Sequence, residues 1–245
     1  MRITTLLALL LGLFLAGSAA AQAPAPATGP SLAPPPITPE NVLLLDLSSG
    51  GRVAIQLRPD IAPNHVARMK ALARQGFYNG LTFHRVIEGF MAQGGDPTGD
   101  GTGGSQLPDL KAEFNGLPHV RGAIAAARSQ SEDSANSQFY IMLGTRLSLD
   151  GRYTVFGRVI SGMSFVDGIE KGEPPVSPSR ILQASIASDN KAAPAPGQAL
   201  AAPAVRSAAP ASRASPGGMA GPAVPPPPSI RLPEPKPKAP PKKSR

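Results

Sequence analysis

Residues 83–96 bring together four side-chain types that suit a ligand pocket. The stretch reads FHRVIEGFMAQGGD and carries a guanidinium at Arg85, an aromatic ring at Phe90, a thioether at Met91 and an amide at Gln93. Two short strands joined by a tight turn bring these groups close together. Because ligand sites are mostly apolar surfaces with a few directed polar groups, the stretch predicts a pocket in which Arg85 is the charged donor.

The alternation of side chains along a strand predicts where each group points. Phe83 and Arg85 are expected on one face, with His84 and Val86 on the other. His84 is therefore expected to face away from Arg85, which disfavours joint chemistry between the two.

The elements that position this stretch are short and mostly of strand type. Apolar runs separated by Gly, Pro, Asn and Ser turns indicate strands, and an apolar pattern at helical spacing after Pro63 indicates a helix. Without regular βα alternation, the pattern predicts a mainly β fold, a closed eight-stranded antiparallel barrel capped by two α-helices. Strands are expected at 41–47, 52–57, 81–87, 91–95, 123–127, 138–142, 153–159 and 180–188, and helices at 62–76 and 162–171.

Proline is concentrated outside the middle of the chain. Of the 30 prolines, seven lie in residues 22–39 and fifteen in residues 191–245. Such segments bury too little apolar surface to offset the entropy of ordering them. We expect one folded domain at 40–190, a Pro/Ala-rich linker at 22–39 and a disordered Pro/Ala-rich basic tail at 191–245.

Residues 1–21 have the three-part pattern of a signal peptide. One arginine is followed by an apolar run from Leu6 to Leu15 and by small residues ending in Ala19-Ala20-Ala21. About ten apolar residues are too few to span a bilayer, which needs roughly 20. The pattern predicts cleavage before Gln22 and export to the periplasm of a Gram-negative cell, or secretion.

The net charge of the chain comes from its C-terminal segment. Residues 191–245 carry nine Lys or Arg and one Glu, which equals the net charge of +8 for all 245 residues. The remainder is neutral, so no nucleic-acid partner is expected for the folded domain. Three interpretations of the tail stay open: a solvated solubilising segment, proline runs that dock in aromatic grooves, or contact with an anionic membrane or cell-wall surface.

The residue inventory excludes several kinds of chemistry. There is no cysteine, which excludes disulfides and thiol nucleophiles, and the three histidines lack a metal-ligand spacing. We expect no metal, no cofactor and a monomer. A hydrolase using Ser129 or Ser137 with His84 and Asp133 is disfavoured because no G-x-S-x-G elbow is present, and the glycines at 101–104 lack the GK[ST] of a phosphate loop.

The sequence resembles the cyclophilin family of peptidyl-prolyl cis–trans isomerases from about Val42 to Ile186. Its strongest block is the stretch at 83–96, followed in family order by GTGG, ARS, NSQFYI and LDGRYTVFGRV, which begin at residues 101, 127, 136 and 149. The resemblance implies the barrel with two capping helices. It also implies isomerisation of X–Pro bonds in proline-containing polypeptides, assisting the folding of exported proteins without a cofactor. The alternative is a catalytically weak binding module or chaperone for proline-containing segments.

The same resemblance implies roles for residues that act on the peptide backbone. Arg85 would be the catalytic cation. Gln93 and Gln138 would bond the substrate backbone or orient Arg85. The backbone around Arg128 and Ser129 would receive the residue before proline.

A second group would form the proline pocket. The resemblance assigns its lining to Phe90, Met91, Tyr140 and Leu149, and Tyr153 stands where relatives carry His or Tyr. Two residues depart from the family pattern. Ser148 stands where many relatives have an aromatic residue, which predicts weak cyclosporin binding. Tyr140 replaces the usual Phe, so its hydroxyl needs a partner.

Overall fold

Eight antiparallel strands and two helices form within residues 35–195, the part of the chain that the computed structural model describes. The predicted signal peptide, most of the linker and most of the tail lie outside these residues. The helices are α1 Pro63–Arg74 and α2 Met163–Asp167. The strands are β1 Val42–Leu47, β2 Gly51–Leu57, β3 Phe83–Ile87, β4 Met91–Gly94, β5 Ala123–Ala126, β6 Phe139–Met142, β7 Val155–Ser161 and β8 Ile181–Ile186.

The sheet has the strand order β3-β4-β6-β5-β7-β2-β1-β8, and every pairing is antiparallel. Its two end strands meet through a bridge between Thr82 and Arg180. The amide of Phe83 donates to the carbonyl of Ser179, and the amide of Ile181 donates to that of Leu81, both at 2.9 Å. The sheet therefore closes on itself, and the predicted barrel with two helices is confirmed.

Alternate residues of the central strands serve two different faces. One set points into the barrel and joins its aliphatic core, and the other points outward into a second apolar cluster. The inward set includes Ala92, Ile124, Phe139, Ile141 and Phe156. The outward set includes Met91, Ala125, Tyr140, Met142 and Val155.

Helix α1 begins at Pro63 and is capped by a residue distant in the sequence. Its N-cap, Ala62, has no side chain that can accept a hydrogen bond. The carboxylate of Glu113 instead accepts from the backbone amides of Asn64 and His65, each at 3.0 Å. These amides have no partner within the helix, so the Glu113 carboxylate caps the helix N-terminus.

Helix α2 is shorter than the prediction of 162–171. The helix ends at Asp167, because the chain then turns back toward β3. Gly172 exchanges both backbone hydrogen bonds with Val86, at 2.8 and 2.9 Å. Neither helix in the described residues is long and apolar enough to cross a bilayer.

The beginning and the end of the barrel are joined by an ionic cluster. Glu40 accepts hydrogen bonds from Lys70, Arg74 and Ser188 at 2.8–3.1 Å. The bonds from Arg74, Ser188 and Lys70 lower the pKa of Glu40 to about 2. The contact fastens the segment before β1 to the segment after β8.

Candidate active site

A β-bulge in strand β3 directs two consecutive side chains into one groove. Phe83 and Val86 both join the barrel core, while His84 and Arg85 both line the groove. The pairing of β3 with β4 shifts by one residue between Phe83 and Arg85, and Arg85 pairs with Gln93. The prediction that His84 faces away from Arg85 is therefore wrong, because the extra residue interrupts the alternation.

Two adjoining cavities meet at Arg85 and Gln93. One is a groove of about 710 Å³ that runs past the glycine loop at 99–104. The other is a small pocket on the outer face of the barrel. Both Arg85 and Gln93 line the two cavities, so they stand at the junction. The remaining residues of the small pocket are Phe90, Met91, Tyr140, Leu149 and Tyr153.

The guanidinium of Arg85 has one hydrogen-bonded nitrogen and one nitrogen without a partner in the described residues. Its side chain is only 11% exposed, and its Nε donates to Oε2 of Glu173 at 2.7 Å. Its Nη1 is buried and has no hydrogen-bond partner among the described residues. A buried donor without a partner is costly in a folded protein, and the guanidinium that carries it lines both cavities.

The two glutamines form a relay to the glycine loop. Gln93 Nε2 donates to Gln138 Oε1 at 2.9 Å, and Gln138 Nε2 donates to the carbonyls of Gly101 and Gly103 at 3.0 and 2.8 Å. The partner of Arg85 within residues 35–195 is Glu173 and neither glutamine. In this state the amides therefore set the position of the loop.

The glycine loop folds around a buried carboxylate. Asp96 is 1% exposed and accepts from the amides of Thr98 and Asp100 at 2.8 and 3.1 Å. Burial alone would raise the pKa of Asp96, but the hydrogen bonds from Thr98 and Gly101 hold it below its ordinary value. A Cβ on Gly103 would clash with the Asp96 carboxylate, so this approach requires glycine.

A polar chain lies under the floor of the small pocket. The Tyr140 hydroxyl lies 3.1 Å from His119 Nε2, and His119 Nδ1 lies 2.8 Å from Asp150 Oδ1. Burial lowers the pKa of His119 despite the opposing effect of Asp150. A neutral imidazole donates from Nδ1 to Asp150 and accepts from the tyrosine at Nε2. This chain provides the partner that the Tyr140 hydroxyl requires.

The far wall of the site carries the other predicted residues. The Arg128 guanidinium lies 4.6 Å from the ring centroid of Tyr153, a distance typical of a cation–π contact. Arg128 also donates to the carbonyl of Ser129 at 3.0 Å, and both residues line the groove. The structure thus brings all ten predicted residues to the two cavities: Arg85, Phe90, Met91, Gln93, Arg128, Ser129, Gln138, Tyr140, Leu149 and Tyr153.

The groups of the hydrolase alternative are not connected to one another. The Ser137 hydroxyl donates to the carbonyl of Gly95, and the Ser129 hydroxyl bonds to another serine. Asp133 accepts from a loop amide. Both ring nitrogens of His84 lack a hydrogen-bond partner within the described residues. These residues therefore do not assemble a nucleophile, a base and an orienting acid.

Sequence reasoning did not identify three residues that support the site. Glu173 follows the second helix, His119 lies in a loop, and Asp150 follows directly after Leu149. Only Asp150 carried a signal, because it belongs to the matched block that begins at 149. In the described part of the chain, no group of three or more His, Asp or Glu side chains converges to hold a metal ion.

Comparisons with known proteins agree with this geometry. A family model described as cyclophilin type peptidyl-prolyl cis-trans isomerase/CLD matches residues 43–186. A probable peptidyl-prolyl cis-trans isomerase of Brucella suis is 50% identical over 169 residues, covering 62% of this chain and 86% of that protein. Peptidyl-prolyl cis-trans isomerase B of Bacillus subtilis is 43% identical over 129 residues, covering 52% of this chain and 89% of that protein.

Solved structures give the same result at lower identity. A cyclophilin from Hirschia baltica is 29% identical with a TM-score of 0.58, over 62% of this chain and 76% of its own. A cyclophilin type isomerase from Cryptosporidium parvum, crystallised in the presence of the dipeptide Ala-Pro, is 27% identical with a TM-score of 0.56, over 59% of this chain and 98% of its own. The family model spans more than half of the 245 residues, and the chain therefore belongs to the cyclophilin-type peptidyl-prolyl cis–trans isomerases.

Proposed function

We propose that this isomerase rotates X–Pro bonds of exported polypeptides at the junction of its two cavities, with Arg85 as the catalytic cation. The observation that carries the proposal is the position of Arg85 and Gln93, which line both the extended groove and the small apolar pocket. A bound chain lies along the groove, and its proline ring enters the pocket. The bond that rotates then lies beside the guanidinium.

The chemistry required at this junction is stabilisation of a twisted amide. Amide resonance sets a barrier of about 18–20 kcal/mol, and the transition state loses that resonance as the nitrogen becomes pyramidal. The Arg85 guanidinium, whose hydrogen bond within the described residues runs from Nε to Glu173, donates from its terminal N–H groups to the lone pair that appears on this nitrogen. Because the lone pair is available only in the twisted state, the contact stabilises the transition state more than either planar isomer.

The pocket supplies the remainder of the rate enhancement by holding the ring. Phe90, Met91 and Leu149 provide an apolar wall beside the guanidinium, which excludes water and strengthens the charged contact. Shortening a process of about 100 s to milliseconds takes about five decades, or roughly 7 kcal/mol. The reaction needs no nucleophile and no proton transfer.

The test is isomerisation of an Ala-Pro peptide by the full, processed chain. We expect Arg85→Ala to lower kcat/KM by about 100- to 1,000-fold, and Arg85→Lys to restore little because lysine lacks the planar fork. Arg158→Ala, at an exposed arginine of β7, is the matched control and should keep full activity. Equal rates for the wild type and Arg85→Ala would contradict the catalytic role and favour a proline-binding module.

The exported location is supported by the N-terminal sequence pattern. Expression in a Gram-negative host followed by N-terminal sequencing of the periplasmic protein should give a chain that starts at Gln22. A protein that keeps Met1 and stays in the cytoplasm would contradict export.

The tail at 191–245 is proposed to lie on an anionic membrane or cell-wall surface and to be dispensable for turnover by a monomeric enzyme. Its net charge of +8 supports this. The full chain should bind vesicles of anionic lipid and lose them at high salt, whereas a chain ending at residue 195 should not bind and should keep kcat/KM. Salt-independent binding, or loss of activity on truncation, would contradict the proposal.

A further inference from the structure

The segment after helix α2 is fastened to the strand that carries Arg85. Gly172 and Val86 exchange both backbone hydrogen bonds as an antiparallel bridge. Gly172 has a φ of +147°, and a Cβ there would lie 2.5 Å from Pro175 Cα, so only glycine fits this position. Residue 173, which follows this bridge, is therefore held at a defined place beside β3.

The side chain of residue 173 accepts a hydrogen bond from the guanidinium of Arg85. Glu173 Oε2 accepts from Arg85 Nε at 2.7 Å, and Glu173 also lines the groove. The bond occupies the N–H nearest the arginine stem and leaves Nη1, at the far end of the guanidinium, without a partner among the described residues. Arg85 and Glu173 are 88 residues apart, so the bridge at Gly172 is what brings them together.

We infer that Glu173 is a positioning residue for isomerisation, which fixes the plane of the Arg85 guanidinium and aims its terminal N–H groups at the rotating bond. The inference rests on the proposed function. An arginine side chain has several rotatable bonds, and a transition-state contact works only when the donor is aligned beforehand. A charge-assisted bond at Nε supplies that alignment without using the catalytic end of the fork.

A merely structural ion pair would behave differently. The Glu173 side chain is 50% exposed, but that of Arg85 is only 11% exposed, so removal of the carboxylate leaves a largely buried charge without its partner and should lower thermal stability. A purely structural role would end there, with kcat unchanged in the folded variant. A positioning role predicts an additional loss in kcat, measured at a temperature where the variant is folded.

The test is a double-mutant cycle on the full chain with an Ala-Pro peptide. Glu173→Ala should lower kcat about tenfold, with KM changed by less than about twofold. Glu173→Gln should recover most of the rate, because its amide oxygen accepts from the same N–H. Glu170→Ala, at an exposed acid three residues earlier, is the matched control and should keep wild-type kcat.

The decisive arm places Glu173→Ala in the Arg85→Ala background. If Glu173 acts through Arg85, the second substitution should change kcat no further. The NMR signal of the Arg85 Nε–H should also shift in Glu173→Ala and remain in place in Glu170→Ala.

Three results would overturn the inference. They are an unchanged or raised kcat in Glu173→Ala, an equal tenfold loss in both backgrounds, and failure of Glu173→Gln to recover rate. Full activity of Arg85→Ala would instead overturn the proposed function itself, so the two failures are distinguishable.

Discussion

The interior of the barrel and the outer face of its central strands differ sharply, although alternate residues of the same strands build them. The interior is filled by aliphatic and phenylalanine side chains that contact one another. The outer face carries alanine, methionine and tyrosine beside a groove lined by polar groups. One face therefore holds the fold together, and the other holds the site.

The small residues of strand β5 show how the difference arises. Ile124 points inward and fills the core, while Ala123 and Ala125 point outward. The short outward side chains leave room for the larger ones of the neighbouring strands, which form the pocket wall. Sites of this kind need unfilled space, whereas cores are close-packed, so the two faces need different residues at alternate positions.

One alanine substitution on each face tests this contrast most strongly. Ile141→Ala, on the inner face, should lower the free energy of unfolding by about 2–5 kcal/mol because it leaves a cavity. Met91→Ala, on the outer face, should lower kcat/KM about tenfold or more with a smaller loss of stability. Urea unfolding and peptide isomerisation at a temperature where both variants are folded provide the measurements.

The contrast would be contradicted if Ile141→Ala mainly lowered activity and Met91→Ala mainly lowered stability. A loss of more than about tenfold in kcat/KM for folded Ile141→Ala would show that interior packing sets the catalytic geometry. Ile141→Val, which should cost only about 0.5–1.5 kcal/mol, controls for loss of the folded state.

Acidification should lower the free energy of unfolding through three buried histidines. His65, His84 and His119 are nearly inaccessible to solvent, and burial lowers the pKa of each. Below about pH 6.5 these histidines bind protons in the unfolded chain but stay neutral in the folded chain. Stability is therefore fully present above pH 6.5 and falls below it, by up to about 1.4 kcal/mol per histidine for each pH unit, until the lowered folded pKa values are reached.

Urea unfolding at pH 7.5, 6.5 and 5.5 measures this slope. His84→Gln should make this slope shallower by up to one proton, because it removes an imidazole that the unfolded chain protonates and whose two nitrogens are buried without a partner in the described residues. A stability that stays constant from pH 7.5 to 5.5 would show that these histidines are not held neutral.

The smallest expected effect is at the pocket floor. Tyr140→Phe keeps the ring but removes the hydroxyl that bonds to His119, so stability should fall by about 1 kcal/mol. Because the ring alone faces the pocket, kcat/KM should stay within about threefold of wild type. A large loss of activity at unchanged stability would instead place the hydroxyl in contact with substrate.

Local patterns were sufficient for most of the fold. The apolar runs predicted all eight strands close to their observed positions, since the central strands bury residues on both of their faces. The turn of the chain after Asp167 was missed because Ile169 continued the apolar pattern of a helix. Gly168, the C-cap of the helix, is a local signal for this end, whereas the pairing of Gly172 with β3 has no local signal.

The site shows where local reasoning stops. The bulge at His84 and Arg85 has no sequence signal, because an extra residue in a strand has no special type. The Glu113 cap on helix α1 and the Glu173 contact to Arg85 join residues 48 and 88 positions apart. Such contacts depend on closure of the barrel, so only the three-dimensional structure places them.

Barrel closure also removes a hazard that an enzyme acting on polypeptides would otherwise carry. An open sheet offers rows of unpaired amides and carbonyls, onto which a foreign strand can add. Here Thr82 bridges Arg180, and Gly172 covers the backbone of β3 at Val86. Among the described residues, the two end strands of the sheet are already partnered. Within the described residues, the sheet therefore leaves no unpaired end strand onto which a second polypeptide could add.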